Sequence, residues 1–360
     1  MKKFAWFLTL ILALSLVLSA CGTPAATQAP APVATEAPAQ PTESPVATEA
    51  PAATEAPAAA EPFKVAVVMP SAKNDLAFSQ SMYDALLRVQ EEMGADQFEF
   101  VFSENMFVVD DAAAAIRDYA SQGYNLIIAH GSQYGSSLQE IAPDFPETSF
   151  AWGTTVDTFG QPNIFAYEAA SQEGGFVNGV MAATLSKSNV IGVVGPIETG
   201  DAKLYVDGFK AGVLSVKPDA KVNVNYIGSF SDTALAAEAA NTHISAGADV
   251  LTGTAQMVVG AIGKAKENNV LWFGTQSNQA SLAPSVVVAS QVYHWEGILK
   301  EMITLIQSGT LGGKSFKADL ANGGEVIEFN PDSTVAADAK ALAETTIKGI
   351  TDGTITINLP

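Results

Sequence analysis

From residue 63 onward, short apolar runs alternate with longer stretches whose apolar positions recur every three to four residues. Lys64-Val65-Ala66-Val67-Val68-Met69-Pro70 is a continuous apolar run closed by proline, which suits a strand buried on both faces. The stretch 75–94 then predicts a helix, with Phe78, Met82, Leu86, Leu87 and Val89 on one broad face and Gly94 as its stop. Further strands are expected at 97–103, 125–130, 148–152, 163–168, 189–195, 221–228, 248–252, 270–274 and 285–291. Helices are expected between them at 110–122, 133–142, 172–187, 200–216, 232–246, 256–268 and 294–308. Strict alternation over about 300 residues means α/β architecture with parallel sheets covered on both faces, and too much chain for one core. Two doubly wound lobes follow. The expected split is 63–168 with 291–311 for the first lobe, and 169–290 with 312–360 for the second. Residues 315–320 and 325–329, parted by Asn322-Gly323-Gly324, read as a β-hairpin, and a last helix is expected over 333–348, with Val335 among its inward positions.

The first 62 residues follow a different pattern. Lys2 and Lys3, an apolar run from Phe4 to Leu18, and small residues before Cys21 have the form of a secretory leader, here 1–20. The run is shorter than the roughly 20 residues of a spanning helix. A small pair followed by cysteine is the lipoprotein variant of the cut. There a nucleophilic thiolate takes a diacylglycerol and becomes the new N-terminus. Residues 21–62 then form a tether without aromatic, Lys or Arg, repeating Ala-Thr-Glu-Ala-Pro at 34–38, 47–51 and 53–57. Such a segment cannot bury enough apolar surface to fold, and its prolines favour extended chain reaching on the order of 120 Å. The expected location is the outer face of a cell membrane, held by lipid on Cys21.

Charge and motifs then narrow the function. With 18 Lys and Arg against 38 Asp and Glu the net charge is −20, and no basic stripe follows Lys3, which argues against nucleic acid. One cysteine excludes a disulfide framework, and His130, His243 and His294 show no metal-binding spacing, so neither metal nor cofactor is expected. Gly309-Thr310-Leu311-Gly312-Gly313-Lys314-Ser315 lacks the first glycine of a phosphate loop, where Ser308 stands. Gly131-Ser132-Gln133-Tyr134-Gly135 has its serine one place off a nucleophile elbow. Asp110 and Asp111 would point about 100° apart on a helix and serve as first-turn acids. The chain carries no enzyme signature.

Four stretches resemble the basic membrane protein family, the substrate-binding lipoproteins of purine and purine-nucleoside ABC importers. They are 78–86 (FSQSMYDAL), 172–180 (QEGGFVNGV), the pair 209–213 (FKAGV) with 225–232 (NYIGSFSD), and 274–279 (GTQSNQ) followed by Ala283-Pro284. The resemblance implies a type I periplasmic-binding-protein fold, two lobes closing on a ligand, with a permease and its ATPase as partners and the chain itself monomeric. In such sheets ligands sit beyond the carboxyl ends of the strands. Candidate ligand residues are therefore Asn74, Asp75 and Phe78 behind the first strand, Ser132 and Tyr134 behind the third, and Trp152 behind the fourth. The second lobe offers Gln256, then Gln276, Ser277 and Asn278, and Trp295 where the last α/β helix opens. Tyr134 and Trp295 are amphipathic rings suited to stacking on a flat heterocycle, while others have bland counterparts: Phe78 as core, Asn74 and Asp75 as helix caps, Trp152 as hinge packing. Glu173 resembles a position that braces the hinge. Where nucleoside-binding members place two acids to grip ribose, this chain has Gln276 and Asn278, and amides suit a base edge. The reading leans toward a free purine base over a nucleoside. Its alternatives are a receptor for sugar or another polar metabolite, an extracellular nucleoside hydrolase needing an acid cluster from elsewhere, such as Asp75 or Asp201, and a sensor that signals without transport.

Overall fold

The computed structural model describes residues 61–333 and 337–359. The leader, Cys21, the tether and Val335 lie outside the described residues. The first strands are β1 (Phe63–Val68), β2 (Phe98–Ser103), β3 (Leu126–His130), β4 (Ser149–Gly153) and β5 (Ile164–Ala169). They alternate with helices α1 (Phe78–Met93), α2 (Val109–Ser121) and α3 (Gly135–Ile141). A second run holds α4 (Ser171–Leu185), β6 (Val190–Gly195), α5 (Gly200–Val216), β7 (Lys221–Tyr226), α6 (Thr233–Ser245), β8 (Val250–Gly253), α7 (Val258–Glu267), β9 (Leu271–Gly274) and β10 (Val287–Tyr293). The chain then adds α8 (Glu296–Gln307), β11 (Ser315–Ala318), β12 (Glu325–Phe329) and α9 (Ala337–Thr351).

Two six-stranded sheets result, ordered β11-β5-β4-β3-β1-β2 and β12-β10-β9-β8-β6-β7. Every neighbouring pair is parallel except β10 with β12. The apolar strands are explained by burial on both sides. Val65 and Val67 enter one hydrophobic cluster while Ala66 and Val68 enter another, and Val193 and Val194 divide in the same way across the second sheet. On α1 the residues Phe78, Met82, Leu86 and Val89 are buried as the spacing predicts, whereas Leu87 is 41% exposed.

The expected hairpin at 315–329 does not form. Ser315–Ala318 pairs in parallel with β5, and Glu325–Phe329 pairs antiparallel with β10. Residues 312–360, read as one lobe's tail, are thus divided between the sheets. The chain consequently passes between sheets three times, near 170, 294 and 319–324. These passages are bonded to one another, through Ala170 N to Ala318 O at 2.7 Å and His294 N to Gly324 O at 2.8 Å. Glu173 Oε2 accepts from Leu320 N (3.1 Å), and Glu325 Oε1 accepts from Gly174 N (3.0 Å) and from the Gln291 side chain. Burial raises the Glu325 carboxyl well above the ordinary carboxylate range.

Behind the crossings α4 and α5 meet backbone to backbone. Glycines at 175 and 179 on one helix and at 208 and 212 on the other leave no room for a side chain. A Cβ on Gly179 would stand 2.1 Å from Phe209 O, and one on Gly212 would stand 2.1 Å from Phe176 O. The glycines in the 172–180 and 209–213 stretches are therefore steric necessities of the second lobe.

Candidate functional site

A cavity of about 40 Å³ opens where the carboxyl ends of the two sheets face each other. From the first sheet come Pro70 past β1, Phe78 at the start of α1, Phe107 past β2, Gly131, Ser132 and Gln133 past β3, and Thr154 past β4. From the second come Asp201 and Ala202 at the start of α5, Phe230 past β7, Ala255 and Gln256 past β8, and Gln276 past β9. The volume is close to one water molecule's share of the liquid, about 30 Å³. Phe78 and Phe230 both line it, one from each lobe, and a bicyclic ring needs more room than this. A larger, open groove of about 790 Å³, lined by Arg88, Glu92, His294, Glu301 and Lys317, runs beside α8 away from the strand ends. Its charges are mixed, and it lacks the convergent polar groups of a ligand site.

Phe78 is held by a stack. Its ring lies 3.8 Å from the His130 ring at 6°. His130 Nδ1 accepts from the Tyr167 hydroxyl (2.7 Å) and its Nε2 donates to the Phe78 carbonyl (3.0 Å). Both roles belong to the neutral imidazole, and burial pushes its pKa down to about 3. Trp295 closes the stack edge-on to Tyr167, at 5.3 Å and 73°.

Asp201 is the carboxylate of the cavity. Thr154 Oγ1 donates to its Oδ1 (3.1 Å) and the Tyr293 hydroxyl to its Oδ2 (3.2 Å), while Ser171 Oγ lies 2.6 Å from the same hydroxyl. Burial raises its pKa, and the hydrogen bonds from Thr154, Tyr293 and the Ala202 backbone oppose that rise. Gln256 and Gln276 each leave a buried side-chain oxygen without a hydrogen-bond partner, although the residues are only 9% and 3% exposed. Ala255 and Gln276 have left-handed backbones (φ 76° and 69°), a conformation that costs a non-glycine residue energy and clusters at functional clefts. Two further bonds cross between the lobes: Ser277 Oγ to Ala77 O at 2.8 Å and Gln279 Nε2 to Leu76 O at 3.1 Å.

Of the residues proposed from sequence, Phe78, Ser132, Gln256 and Gln276 line the cavity together. Ser277 sits at its edge as an interlobe bond. Asp75 caps α1, accepting from the backbone of Ala77, Ser79 and Gln80, and Asn74 is exposed. Tyr134 is fully buried behind the cavity with its hydroxyl on Met106 O (2.7 Å), and Trp295 is fully buried with Nε1 on Ser81 Oγ (2.9 Å). Trp152 donates to Gly131 O (3.1 Å) and stacks on Phe159. Asn278 points away, to Glu328 (2.7 Å). Sequence reasoning passed over Phe107, Gln133, Thr154, Ala255 and Phe230, and named Asp201 only as a reserve acid. Each follows a strand end. The same rule that selected Gln256 selects Phe230 and Asp201 when applied to β7 and β6.

Residues 63–357 match the family described as ABC transporter substrate-binding protein, PnrA-like. The chain is similar to a purine-binding protein of Brucella abortus, 27% identical over 293 residues, covering 81% of this chain and 82% of that protein. It is also similar to the ABC transporter nucleoside-binding protein BmpA of Lactococcus lactis, 27% identical over 82% of this chain and 88% of that one. Among solved structures, an ABC transporter solute-binding protein from Conexibacter woesei shares the fold with a TM-score of 0.68 at 22% identity, over 82% of this chain and 99% of that one. A match over nearly all of the folded chain, on two facing sheets of this topology, makes the protein a member of the PnrA-like family of ABC transporter substrate-binding proteins.

Proposed function

We propose that this protein captures a purine base or purine nucleoside between its lobes, the free base slightly preferred, and hands it to an ABC permease. The observation that carries the reading is a cavity with an aromatic ring from each lobe, Phe78 and Phe230, rimmed by side-chain amides and one carboxylate. Flat rings stack on aromatic faces, and amides donate and accept along a heterocycle's edge. The names of the Brucella and Lactococcus relatives support a purine or nucleoside. The lean toward the base rests on Asp201 standing alone: ribose is gripped by paired acids, and Asn278 is bonded elsewhere. Opening about the three crossings admits the ligand, and contacts to both lobes then favour the closed state.

Calorimetry of the purified protein against adenine, guanine, hypoxanthine, xanthine, their nucleosides and common sugars tests the reading. Micromolar or tighter binding of bases, weakened at least tenfold in Phe78→Ala, is expected. Binding of sugars alone overturns it. The leader and tether make the chain a lipoprotein anchored through Cys21 on the extracytoplasmic face. Replacing Cys21 with Ser is expected to abolish incorporation of labelled fatty acid.

A further inference from the structure

Two side chains in the cavity are left free. Gln256 and Gln276 are 9% and 3% exposed, the side-chain oxygen of each is buried without a partner, and among the described residues neither amide nitrogen is hydrogen-bonded. Gln279, a little further along the chain, shows that the fold can hold such a group. Its Oε1 accepts from Trp272 Nε1 (3.0 Å), and its Nε2 donates to Thr275 O and Leu76 O (3.1 Å each). The free pair stands past β8 and β9, which are parallel neighbours, and Thr275 Oγ1 donates to Gly253 O (3.0 Å), tying the two loops together. Both residues line the cavity. An amide carries an acceptor and a donor side by side, and turning it over only exchanges them. Leaving a desolvated acceptor or donor unpaired costs more than an ordinary hydrogen bond gains. A ligand that fills the cavity must therefore offer the complement, a donor next to an acceptor. Side-chain amides meet the amino group and ring nitrogen of adenine in this way.

We propose that Gln256 and Gln276 are specificity residues that select heterocycles with an N–H donor and an acceptor on neighbouring positions of one edge, over the same rings with that edge N-methylated. The inference rests on the purine reading above. An N–H beside a ring nitrogen or carbonyl pairs with both ends of an amide. A methyl on that nitrogen removes the donor and strands the amide oxygen, and a site built for hydrogen bonds rejects analogues that lack them for this reason.

The test takes whichever of adenine, guanine, hypoxanthine, xanthine and their nucleosides the wild type binds most tightly, with the methyl derivatives that block each N–H of that ring in turn. At least one methylation is expected to weaken binding to the wild type by about tenfold or more. Gln256→Met and Gln276→Met keep the length of the side chain and remove its donor and acceptor. In at least one of them the parent ring is expected to bind about fivefold or more weakly, and the penalty of that methylation to fall to about threefold or less. Leu takes the place of Met where a variant does not fold. A methyl that merely clashes would keep its penalty in the variants. Small penalties at every position in the wild type, penalties unchanged in both variants, or a parent ring held as tightly by both variants as by the wild type overturn the role of the glutamines while leaving purine capture standing. Failure of the wild type to bind any of these ligands overturns the purine reading itself, and this inference with it.

Discussion

Gly179→Ala and Gly263→Ala are chemically the same substitution, each inside a helix, yet the structure predicts effects of opposite sign. In an exposed helix interior alanine is favoured over glycine by about 1 kcal/mol, because glycine loses more backbone freedom on folding. Nothing lies within 4 Å of a Cβ built on Gly263 of α7, so that gain is expected nearly in full. On Gly179 the same methyl stands 2.1 Å from Phe209 O and 2.9 Å from Val213 N, both backbone atoms that no rotamer change can move. The two helices must separate by on the order of 1 Å to restore contact distance, which strips packing along their whole crossing. Overpacking of this kind costs about 1–3 kcal/mol, and more where backbone must shift. After the propensity gain the net expectation is a loss of about 2–3 kcal/mol for Gly179→Ala, against a gain of about 0.5–1 kcal/mol for Gly263→Ala. At roughly 2–4 °C per kcal/mol for domains of some 150–250 residues, the midpoints move down by roughly 4–12 °C and up by roughly 1–4 °C. Thermal melts with urea titration as a second probe measure both. A Gly179→Ala protein as stable as the wild type would refute the backbone-to-backbone crossing. Because Asp201 lies in the first turn of α5, the separation is also expected to weaken the Thr154 contact and ligand affinity with it.

Other expectations follow from single bonds. Ser277→Ala removes the hydroxyl that reaches Ala77 O across the cleft, worth about 1 kcal/mol to the closed form alone. Ligand affinity is expected to drop roughly fivefold in calorimetry with the melting midpoint barely moved; a change in the midpoint without one in affinity would contradict an interlobe role. His130 has its folded pKa lowered from an ordinary 6.5 to about 3, so the unfolded chain binds the extra proton. Its contribution is complete above about pH 6.5 and is lost as pH falls toward 3, at about 1.4 kcal/mol per unit. Urea titrations of wild type and His130→Gln across that range are expected to converge as pH falls; parallel curves would refute the neutral, buried ring.

The α/β rhythm was legible because the central strands are buried on both faces and most helices on one, so local composition reports the layer. What escaped was the choice of partner. Residues 315–318 and 325–329 look like strands, and Asn322-Gly323-Gly324 looks like a turn. Yet the pairing is decided by open edges at β5 and β10, far away in sequence. The site was half legible for a similar reason. Phe78, Gln256 and Gln276 follow from the strand-end rule. Tyr134 and Trp295 satisfy the same rule, but their polar atoms find Met106 O and Ser81 Oγ inside the core, and no local pattern announces a partner tens or hundreds of residues away. Asp201 and Thr154 matter because they face each other across 47 residues of chain.

The division of the last two strands bears on how the chain is made. Since β11 completes the sheet begun by β1, and β12 completes the other, neither lobe is a contiguous stretch that can finish by itself during synthesis. Until residue 318 has emerged the first sheet lacks its sixth strand, until residue 329 the second lacks its own, and these long-range pairings come last. Folding is therefore expected to wait for nearly the whole polypeptide. A product cut short before residue 315 would expose two unpaired edges at once, which makes it a substrate for aggregation or proteolysis and not a working half.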